Sequence, residues 1–445
     1  MSDQISEIEL ALLNRWPETR IQPSLERIAL LADMLGSPQL SYPTIHIAGT
    51  NGKTTTTRII DTLALELGLR TGRFTSPHLE SFLERIAING ESISEAAMIA
   101  TYKDVAPYLD LVDQRMANRL SFFEAVTALA FVAFAEFPVD IGIFECGMGG
   151  EWDATNVIEA KVSVVTPIGF DHMQYLGDTL SEIALTKSGI IKPGSFAVLA
   201  RQELDPAQTL LRKCAEMDAT PIREGIEYGV KDRALAVGGQ MLTIQGVYGE
   251  YDELFLPLYG EHQASNAATA LAAIEVFAGE KALDVDLVRA AFAAITSPGR
   301  CEILMRNPTV IVDSAHNPHG ATSLRKTIES EFDFDQIIGV VSAMADKDLS
   351  GIFEELEPIL DRVIITRNSS HRAAEVSDLA DTAREVFDSA RIDTAANLGD
   401  AILRAVEQAK LENAVNDSNC AVLIAGSVIS AGEARAIVRE MVVRE

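Results

Sequence analysis

Residues 46–57 read HIAGTNGKTTTT, and this stretch sets the architecture of the first half of the chain. The end of an apolar strand runs into a glycine-rich turn that closes with Gly52, Lys53 and Thr54. Glycines let backbone N–H groups turn inward around phosphate oxygens, while the lysine adds positive charge and the threonine hydroxyl suits Mg²⁺. The following stretch, 55–67, has the apolar spacing of a helix, whose positive N-terminal end would face the same anion. The pattern therefore predicts a strand, a phosphate loop and a helix that together bind ATP.

This loop is a variant of the P-loop pattern GxxxxGK[ST], because Ile47 stands where that pattern has its first glycine. An ordinary glycine-rich turn that precedes a helix is the alternative interpretation. The ATP site is favoured, since packing alone does not explain a lysine and a hydroxyl directly after Gly52.

The composition is typical of a soluble globular protein with more than one domain. The chain has 445 residues, of which 47% are hydrophobic and 23% charged, and this length exceeds what one ordinary core holds. No apolar run approaches the roughly 20 residues that cross a bilayer, and the acidic N-terminus lacks the basic start of a secretory signal. The four cysteines are scattered without a CxxC pair, so we expect free thiols in a reducing cytoplasm and neither disulfides nor a zinc site.

The net charge restricts the partners. With 37 basic and 65 acidic residues, the formal charge is −28, which repels phosphate backbones and argues against nucleic-acid binding. An anionic substrate must therefore be held by locally placed lysine, arginine, helix N-termini and metal, against the field of the whole molecule.

The order of apolar segments predicts two α/β domains. A helical region is expected over 5–35, with inward positions at Ile8, Leu12, Leu25, Ile28, Leu31 and Met34. Buried strands are predicted at 44–48, 139–144, 162–166 and 196–199, then a small β insertion at 222–260 and an alanine-rich helix at 263–277. After a Ser-Pro-Gly-Arg linker at 297–300, strands are predicted at 310–312, 337–341, 363–366 and 421–425, with helices at 349–360 and 376–387. Strands that alternate with helices indicate parallel sheets covered on both faces, so the expected domains are 1–296 and 301–445.

Polar residues at the carboxyl ends of predicted strands are candidates for a site, because open α/β sheets bind ligands at that edge. Glu145 ends one strand beside glycines and is a candidate Mg²⁺ ligand, although a helix cap or a surface acid would fit the position equally well. Asp171 and His172 follow another strand end and could complete a metal shell. Spacing alone favours a structural histidine, since imidazole is an unusual ligand for Mg²⁺.

Other polar segments have simpler explanations when each is considered alone. Lys187 lies near a predicted helix end, where the charge of a surface lysine is favoured anyway. Ser76 could bind metal or cap the next element, and Ser121 fits the cap of an apolar helix with Glu124 in its first turn. The polar run 313–318 could meet a ribose or a phosphate, or form a loop with Asn-Pro turn chemistry.

Taken together, these segments resemble those of one enzyme family. The segments GTNGKT, TSPHL, SFFE, ECGMGG, WDATN, DHMQYLG, KSGIIKPG, HQASNA, PGR, DSAHNP and DKD occur in this order across nearly the whole chain. The chain is thereby similar to the folylpolyglutamate synthases, and also to the dihydrofolate synthases, of the Mur ligase superfamily. The resemblance implies an N-terminal P-loop ATPase-like domain with a doubly wound parallel sheet and a small β insertion, followed by a C-terminal Rossmann-like α/β domain.

Members of this family use ATP to join L-glutamate to a carboxyl group of folate through an acyl-phosphate intermediate. The resemblance implies ATP and Mg²⁺ as cofactors, with folate or dihydropteroate and L-glutamate as substrates. It also implies a cytoplasmic monomer that binds neither nucleic acid nor membrane. If both family activities are present, the protein would also make dihydrofolate from dihydropteroate.

The resemblance assigns roles to individual residues. Catalytic roles fall to Lys53, Lys187 and His316, and Lys187 matches the family's lysine that CO₂ carbamylates. ATP contacts fall to Gly49, Thr50, Asn51, Gly52, Lys53, Thr54, Asn266, Arg300 and Asp313. Mg²⁺ ligands fall to Thr54, Ser76, Glu145 and His172, and substrate contacts to Ser121, Trp152 and Asp171. Because Arg300 and Asp313 lie on the linker and the second domain, closure of the domains would complete the ATP site.

Two positions depart from the family pattern. Glu151 stands where the family usually has arginine, and Thr186 replaces the glutamate that precedes the carbamylated lysine. These changes could alter substrate preference, weaken turnover or mark a divergent paralogue. The alternatives are a Mur-type ligase with another carboxylate acceptor, such as a cell-wall precursor, and a nucleotide-binding module that has lost catalysis. The folate-type TSPHL and SFFE segments, and the lack of an N-terminal UDP-binding domain, argue against the first alternative.

Overall fold

The structure is a computed structural model that describes residues 2–16, 22–416 and 418–444. The chain folds into two compact units, the first comprising Met1–Pro257 and Gln263–Thr296, and the second Leu258–His262 and Ser297–Glu445. The sequence pattern gave no sign that Leu258–His262 joins the second unit. In that segment the Tyr259 ring lies 4.9 Å from the ring of Phe332, which explains why it packs there.

The first unit is built on an eight-stranded sheet. Its strands are β1 Thr44–Ala48, β2 Thr71–Phe74, β3 Ile86–Ile88, β4 Glu91–Ser92, β5 Ile141–Glu145, β6 Ala160–Val165, β7 Phe196–Leu199 and β8 Thr220–Arg223. They follow the order β4-β3-β2-β5-β1-β6-β7-β8, and the pairs from β2 to β8 are parallel whereas β3 and β4 are antiparallel. Since β1 pairs with both β5 and β6, the residues that follow these three strands meet at one edge of the sheet.

Helices cover both faces of this sheet. They are α1 Asp3–Leu13, α2 Glu26–Met34, α3 Lys53–Glu66, α4 Glu95–Arg115, α5 Phe122–Glu136, α6 Met173–Leu176, α7 Leu180–Ser188, α8 Leu204–Glu216, α9 Glu261–Phe277 and α10 Val285–Ala294. On β2, Gly72 lies against the Phe134 ring of α5, whereas the next residue, Arg73, forms a buried ion pair of 2.8 Å with Asp61 of α3. Because neighbouring strand residues point to opposite faces, α3 and α5 lie on opposite sides of the sheet.

The helix predicted over 5–35 is two helices, α1 and α2, and residues 17–21 of that prediction lie outside the described residues. The apolar positions Ile8, Leu12, Ile28 and Leu31 are buried as expected. The predicted β insertion is a separate antiparallel sheet of β9 Gly229–Ala236, β10 Gly239–Gln245 and β11 Glu250–Leu256.

The second unit has a six-stranded sheet in the order β12-β13-β17-β14-β15-β16. Its strands are β12 Glu302–Arg306, β13 Thr309–Val312, β14 Gln336–Val341, β15 Arg362–Ile365, β16 Ile392–Thr394 and β17 Cys420–Ala425. Its helices are α11 Pro318–Glu331, α12 Leu349–Leu356, α13 Val376–Arg384, α14 Leu398–Asn416 and α15 Val428–Arg444. The predicted helix 349–360 ends at Leu356, because Pro358 cannot continue the α-helical hydrogen bonds and a 3₁₀ turn follows. The predicted α/β class, with a doubly wound parallel sheet and a second α/β domain, is confirmed.

Among the described residues, no helix is both long and apolar enough to span a membrane. All four cysteines are buried and free, which agrees with the expected free thiols.

Candidate active site

The phosphate loop joins β1 to α3 and requires glycine at two positions. Gly49 has a φ of +148° and Gly52 a φ of +87°, backbone conformations that residues with side chains disfavour. A Cβ atom on Gly49 would lie 1.8 Å from Thr166 Oγ1, and one on Gly52 would lie 2.4 Å from Asn266 Oδ1. The loop is therefore closely packed against the end of β6 and against α9.

Two N–H groups of the predicted phosphate loop contact the protein itself, while phosphate binding by the loop stays a prediction. The N–H groups of Thr50 and Asn51 donate to the carbonyl of Pro167, at 3.0 and 3.4 Å. The Thr50 hydroxyl also donates to Gly169 O and accepts from Gly169 N–H, each at 3.0 Å. The N–H groups of the first turn of α3 point toward the N-terminal end of the helix, where helices commonly receive anions.

Lys53 is the first residue of α3, and its side chain folds back over the loop. Its Nζ atom donates to Gly49 O at 3.2 Å and to Thr50 O at 3.3 Å. The side chain is partly exposed. Its charge therefore lies at the loop, close to where an anion would meet the start of α3.

The predicted metal ligands Thr54, Ser76 and Glu145 lie together beside the loop. Glu145 ends β5 and is 1% exposed. Its Oε1 atom accepts a hydrogen bond from Thr54 Oγ1 at 2.8 Å, and its Oε2 atom accepts one from Ser76 N–H at 3.4 Å. The three residues meet because β1, β2 and β5 run parallel and end at the same edge.

This group suits Mg²⁺ in its chemistry. Mg²⁺ prefers oxygen ligands and is usually held by one or two carboxylates, water and substrate phosphates. Within the described ranges, no three His, Cys, Asp or Glu side chains gather as a metal site of their own. A buried carboxylate beside two hydroxyl-bearing residues fits an ion that also needs nucleotide phosphates.

Asp171 and His172 form a pair on the segment that follows β6. The His172 N–H donates to Asp171 Oδ1 at 2.9 Å, and His172 Nε2 lies 3.8 Å from Asp171 Oδ2. His172 has a φ of +51°, which turns the chain into α6. The pair is reached from β6 through residues 166–169, the same segment that contacts the phosphate loop.

Lys187 is not the surface lysine that its place near a helix end suggested. It lies in the last turn of α7, is 4% exposed and donates from Nζ to Gly49 O at 2.7 Å. Burial, and then the nearby charge of Lys53, lower the pKa of its ammonium from 10.5 to about 7, although neighbouring acidic groups oppose the shift. Near neutral pH much of this amine is therefore uncharged.

The two departures from the family pattern are neighbours in the structure. The Glu151 N–H donates to Thr186 O at 2.8 Å. A Cβ atom on Gly189 would lie 2.5 Å from Glu151 Cβ, so this contact is tight. The hydrogen bond joins backbone atoms only, while the Glu151 side chain is exposed and Thr186 Oγ1 donates to Glu182 O at 3.3 Å. The chain therefore departs from the pattern at two residues whose backbones are neighbours.

Ser121 and Trp152 have structural roles in this geometry. Ser121 Oγ accepts from Glu124 N–H at 3.1 Å and Ser121 N–H donates to Glu124 Oε2 at 2.8 Å, which is a capping box at the start of α5. Glu124 also pairs with Arg27 at 3.0 Å, which ties α5 to α2. Trp152 is half-buried against the apolar core beside α7. Their substrate contacts stay predictions.

In the second unit, Asp313 organises the loop after β13. Its Oδ2 atom accepts from Cys301 N–H, and its Oδ1 atom accepts from the N–H two residues further on, each at 2.7 Å. Burial raises the pKa of this carboxyl above its ordinary value. The nearby charges of Arg300 and His316 act in the opposite direction but do not reverse the shift. His316 Nδ1 lies 2.9 Å from Ser314 O. The structure thus brings Arg300, Asp313 and His316 into one region.

Sequence reasoning missed a buried polar cluster behind the phosphate loop. His46 Nε2 lies 2.7 Å from Thr155 Oγ1, which contacts Asp153 Oδ1 at 2.5 Å. Cys146 Sγ lies 3.1 Å from the same histidine nitrogen. Burial lowers the pKa of His46 well below its ordinary value, so the imidazole is neutral. A histidine inside an apolar strand was the available signal, but its partners come from a loop far along the chain.

Both units match known protein families. A family profile described as the Mur ligase middle domain matches residues 47–274, and one described as Mur ligase, glutamate ligase domain matches residues 299–428. A Mycobacterium tuberculosis protein named dihydrofolate synthase/folylpolyglutamate synthase is 48% identical over 455 residues, covering 97% of this chain and 93% of its own length.

Two solved structures have the same fold over nearly their whole length. The Mycobacterium tuberculosis folylpolyglutamate synthase complexed with ADP has a TM-score of 0.95 at 48% identity, with 98% of this chain and 99% of that chain covered. Escherichia coli FolC in complex with DHPP and ADP has a TM-score of 0.85 at 28% identity, with coverages of 99% and 98%.

Proposed function

The chain belongs to the dihydrofolate synthase/folylpolyglutamate synthase family of the Mur ligases, which are ATP-dependent ligases, and we propose that it joins L-glutamate to a carboxyl group of folate. The observation that carries the proposal is the cluster of Lys53, Thr54 and Glu145 at the edge of the sheet where a nucleotide phosphate would bind. The DHPP in the FolC structure supports dihydropteroate as a second acceptor. We also propose a cytoplasmic monomer, which the buried free thiols and the strong net charge support.

The reaction needs an activated acid, because a carboxylate is a poor electrophile. A carboxylate oxygen of the acceptor attacks the γ-phosphorus of ATP, ADP leaves, and an acyl phosphate forms. The glutamate amine then attacks the acyl carbon, inorganic phosphate leaves, and the nitrogen loses a proton. The protein must align these groups and neutralise their negative charge. Lys53 and the N–H groups at the start of α3 supply that positive charge.

Mg²⁺ would be held by Thr54, Ser76 and Glu145, with His172 as a further ligand, and it would supply positive charge to the phosphates. The buried carboxylate of Glu145 between two hydroxyl-bearing residues supports this assignment. Among the remaining predicted residues, Asn266, Arg300 and Asp313 would contact the nucleotide. Ser121, Trp152 and Asp171 would contact the acceptor, and His316 would lie near the phosphates.

Carbamylation of Lys187 is part of the proposal. A neutral amine attacks CO₂, releases a proton and becomes an anionic carbamate that keeps one N–H. The lowered pKa of Lys187 supports this step, because the uncharged amine is available near pH 7. The remaining N–H could still donate to Gly49 O, so the modification is compatible with the observed contact.

The alternative hypothesis, that the protein binds nucleotide but has lost catalysis, rests only on Glu151 and Thr186. A backbone hydrogen bond joins these two residues, so both changes lie at one place in the structure. The phosphate loop, Lys187 and the Glu145 cluster keep all the groups that the chemistry needs. An active ligase is therefore the better interpretation.

An acceptor screen tests the proposed function. Phosphate release is measured with ATP, Mg²⁺ and L-glutamate in the presence of tetrahydrofolate, folate monoglutamate or dihydropteroate, and the products are weighed by mass spectrometry. We expect a mass gain of one glutamate with at least one folate acceptor. Nucleotide binding without phosphate release on any acceptor would instead favour the inactive module.

Lys53→Ala is the matching variant. We expect its turnover to fall by a factor of about 10² or more, since a charge-stabilising donor is lost, while its unfolding temperature stays close to wild type. The stability is expected to hold because the side chain is partly exposed and its Nζ atom donates to two carbonyls of the loop. A near-normal rate in this variant would contradict the phosphate-loop assignment.

A further inference from the structure

The phosphate loop is held by a segment that no sequence motif marks. After β6 ends at Val165, residues 166–169 run beside the loop, and Pro167 O accepts the N–H groups of Thr50 and Asn51. The Pro167 carbonyl and the Ile168 N–H belong to one planar peptide group. Whatever holds this N–H therefore also sets the direction of the carbonyl that the loop contacts.

Gln202 holds the other side of that peptide group. The Ile168 N–H donates to Gln202 Oε1 at 3.0 Å, and Gln202 Nε2 donates to Thr166 O at 3.1 Å. One side-chain amide thus bridges a backbone donor and a backbone acceptor on either side of Pro167. Hydrogen bonds in such a chain polarise and strengthen one another, so the contact from Gln202 extends to the phosphate loop.

The sheet fixes Gln202 in this position. The Ala200 N–H donates to Val165 O at 3.0 Å, which continues the pairing of β6 and β7 one residue beyond the end of β7. Gln202 follows two residues later and is half-buried. The 166–169 segment then leads directly into Asp171 and His172. Gln202 therefore holds the segment that contacts the phosphate loop and continues to the carboxylate–imidazole pair.

We propose that Gln202 is a positioning residue for the nucleotide phosphates. Its amide holds residues 166–169 so that the phosphate loop and the Asp171–His172 pair keep the separation that ATP binding needs. This inference rests on the proposed function, because it concerns the same nucleotide site.

Gln202→Leu tests the inference, because it preserves the approximate size of the side chain and removes both hydrogen bonds. Affinity for a non-hydrolysable ATP analogue with Mg²⁺ is measured by calorimetry, together with the unfolding temperature and the KM values for ATP and acceptor. We expect the analogue to bind about ten-fold more weakly, which corresponds to about 1.4 kcal/mol. The KM for ATP should rise similarly, while the KM for the acceptor should change by less than about two-fold.

Gln245→Leu is a matched control in the same unit. Gln245 also bridges a turn, with Nε2 donating to Gly246 O at 3.0 Å and to Gly249 O at 3.3 Å, but it is the last residue of β10 and its turn leads to β11. We expect a lower unfolding temperature and unchanged analogue affinity. If Gln202→Leu does not fold, Gln202→Asn, whose shorter amide cannot reach both backbone groups, is measured in the same way.

The outcomes separate this inference from the proposed function. Wild-type affinity in a folded Gln202 variant, or an equal loss of affinity in Gln245→Leu, would overturn the positioning role and leave the ligase proposal intact. A wild-type protein that does not bind the analogue would overturn both.

Discussion

Lys187 combines a basic side chain with almost complete burial. Its Nζ atom shares the Gly49 carbonyl with Lys53, at 2.7 and 3.2 Å, so two amines approach one acceptor. Two charged ammonium groups so close together would repel each other, and Lys53 is the more exposed of the two. Burial of Lys187, and then the nearby charge of Lys53, favour its uncharged form, which explains the direction of its pKa shift.

Lys187→Met should stabilise the protein more at about pH 6 than at about pH 9. The pKa of this lysine is about 7 in the folded state and 10.5 in the unfolded state, so between these values the unfolded chain binds more protons. The cost of the buried ammonium is full below pH 7 and is relieved as the pH rises. The free energy of unfolding is measured with denaturant in CO₂-free buffer. The difference between the variant and the wild type should shrink by about 2–3 kcal/mol from about pH 6 to about pH 9.

Lys231→Met serves as the control for that measurement. Lys231 is exposed and pairs with Glu250 at 2.8 Å on the protein surface, so its replacement removes no charge from the protein interior. Its effect on stability should therefore not depend on pH. A pH-independent effect of Lys187→Met as well would contradict the lowered pKa.

Lys187→Ala should lose turnover, and bicarbonate should partly restore it. The proposed carbamate is an anion attached to the lysine, and the space left by the missing side chain could admit a small carboxylate-like anion in its place. Phosphate release is measured with and without added bicarbonate, and Lys53→Ala, which lacks a cation, should show no recovery. Unaltered turnover in Lys187→Ala would remove the carbamate from the mechanism.

The junction of β1 and α3 depends on the exact backbone of Gly52, and Gly68 offers a matched comparison. Both have positive φ, +87° and +78°, but a Cβ atom on Gly52 would meet Asn266 whereas one on Gly68 would meet nothing within 4 Å. Gly68→Ala should cost about 1–2 kcal/mol of stability from backbone strain alone. Gly52→Ala should cost more, because it adds a collision with Asn266.

Nucleotide affinity distinguishes these two variants further. We expect Gly52→Ala to weaken binding of an ATP analogue by about ten-fold or more, since a shift of the loop moves Lys53 and the first N–H groups of α3. Gly68→Ala, at the far end of that helix, should bind normally. Equal affinity in both variants would show that the packing of Gly52 against α9 does not shape the site.

Strands and the phosphate loop could be predicted from sequence because their signals are local. The apolar runs at 44–48 and 196–199 match β1 and β7 residue for residue, since buried parallel strands have continuous apolar character. The short strands β3, β4 and β16 gave no such signal, because they are two or three residues long and lie near sheet edges. Length and burial are not sufficient, because β2 is four buried residues long and was not predicted, since Gly72 and Arg73 interrupt its apolar character.

The residues that hold the site in place could not be predicted in the same way. Gln202 acts through backbone groups more than 30 residues away in sequence, and no motif surrounds it. Burial of Lys187 likewise follows from how α7 packs against β6 and the loop, whereas its sequence context resembles an exposed helix end. Such roles depend on contacts between distant segments, and a single sequence does not contain those distances.

The charge of the whole molecule opposes its proposed substrates. A formal charge of −28 repels ATP and folate, which are both anions. Lys187, with its pKa lowered to about 7, contributes only part of a positive charge to the site near neutral pH. Attraction at the phosphate loop therefore acts over short distances, whereas repulsion from the protein surface acts over longer ones. Because salt screens long-range interactions most, it should affect the approach of the substrate more than its final binding.

Raising the ionic strength should therefore increase kcat/KM for anionic acceptors. Between about 0.01 M and about 0.15 M salt the screening length falls from about 30 Å to about 8 Å, which removes most of the long-range repulsion. With ATP saturating, the increase should be smallest for dihydropteroate, larger for folate monoglutamate and largest for longer glutamate chains, because each added glutamate brings another charge. Running the series in tetramethylammonium chloride and again in potassium chloride separates screening from any specific effect of the cation. Two results would contradict this prediction: a kcat/KM that falls as salt is added, or a dependence of kcat/KM on salt that is the same for all acceptor charges. Either result would show that local cations, and not the net charge, control the encounter.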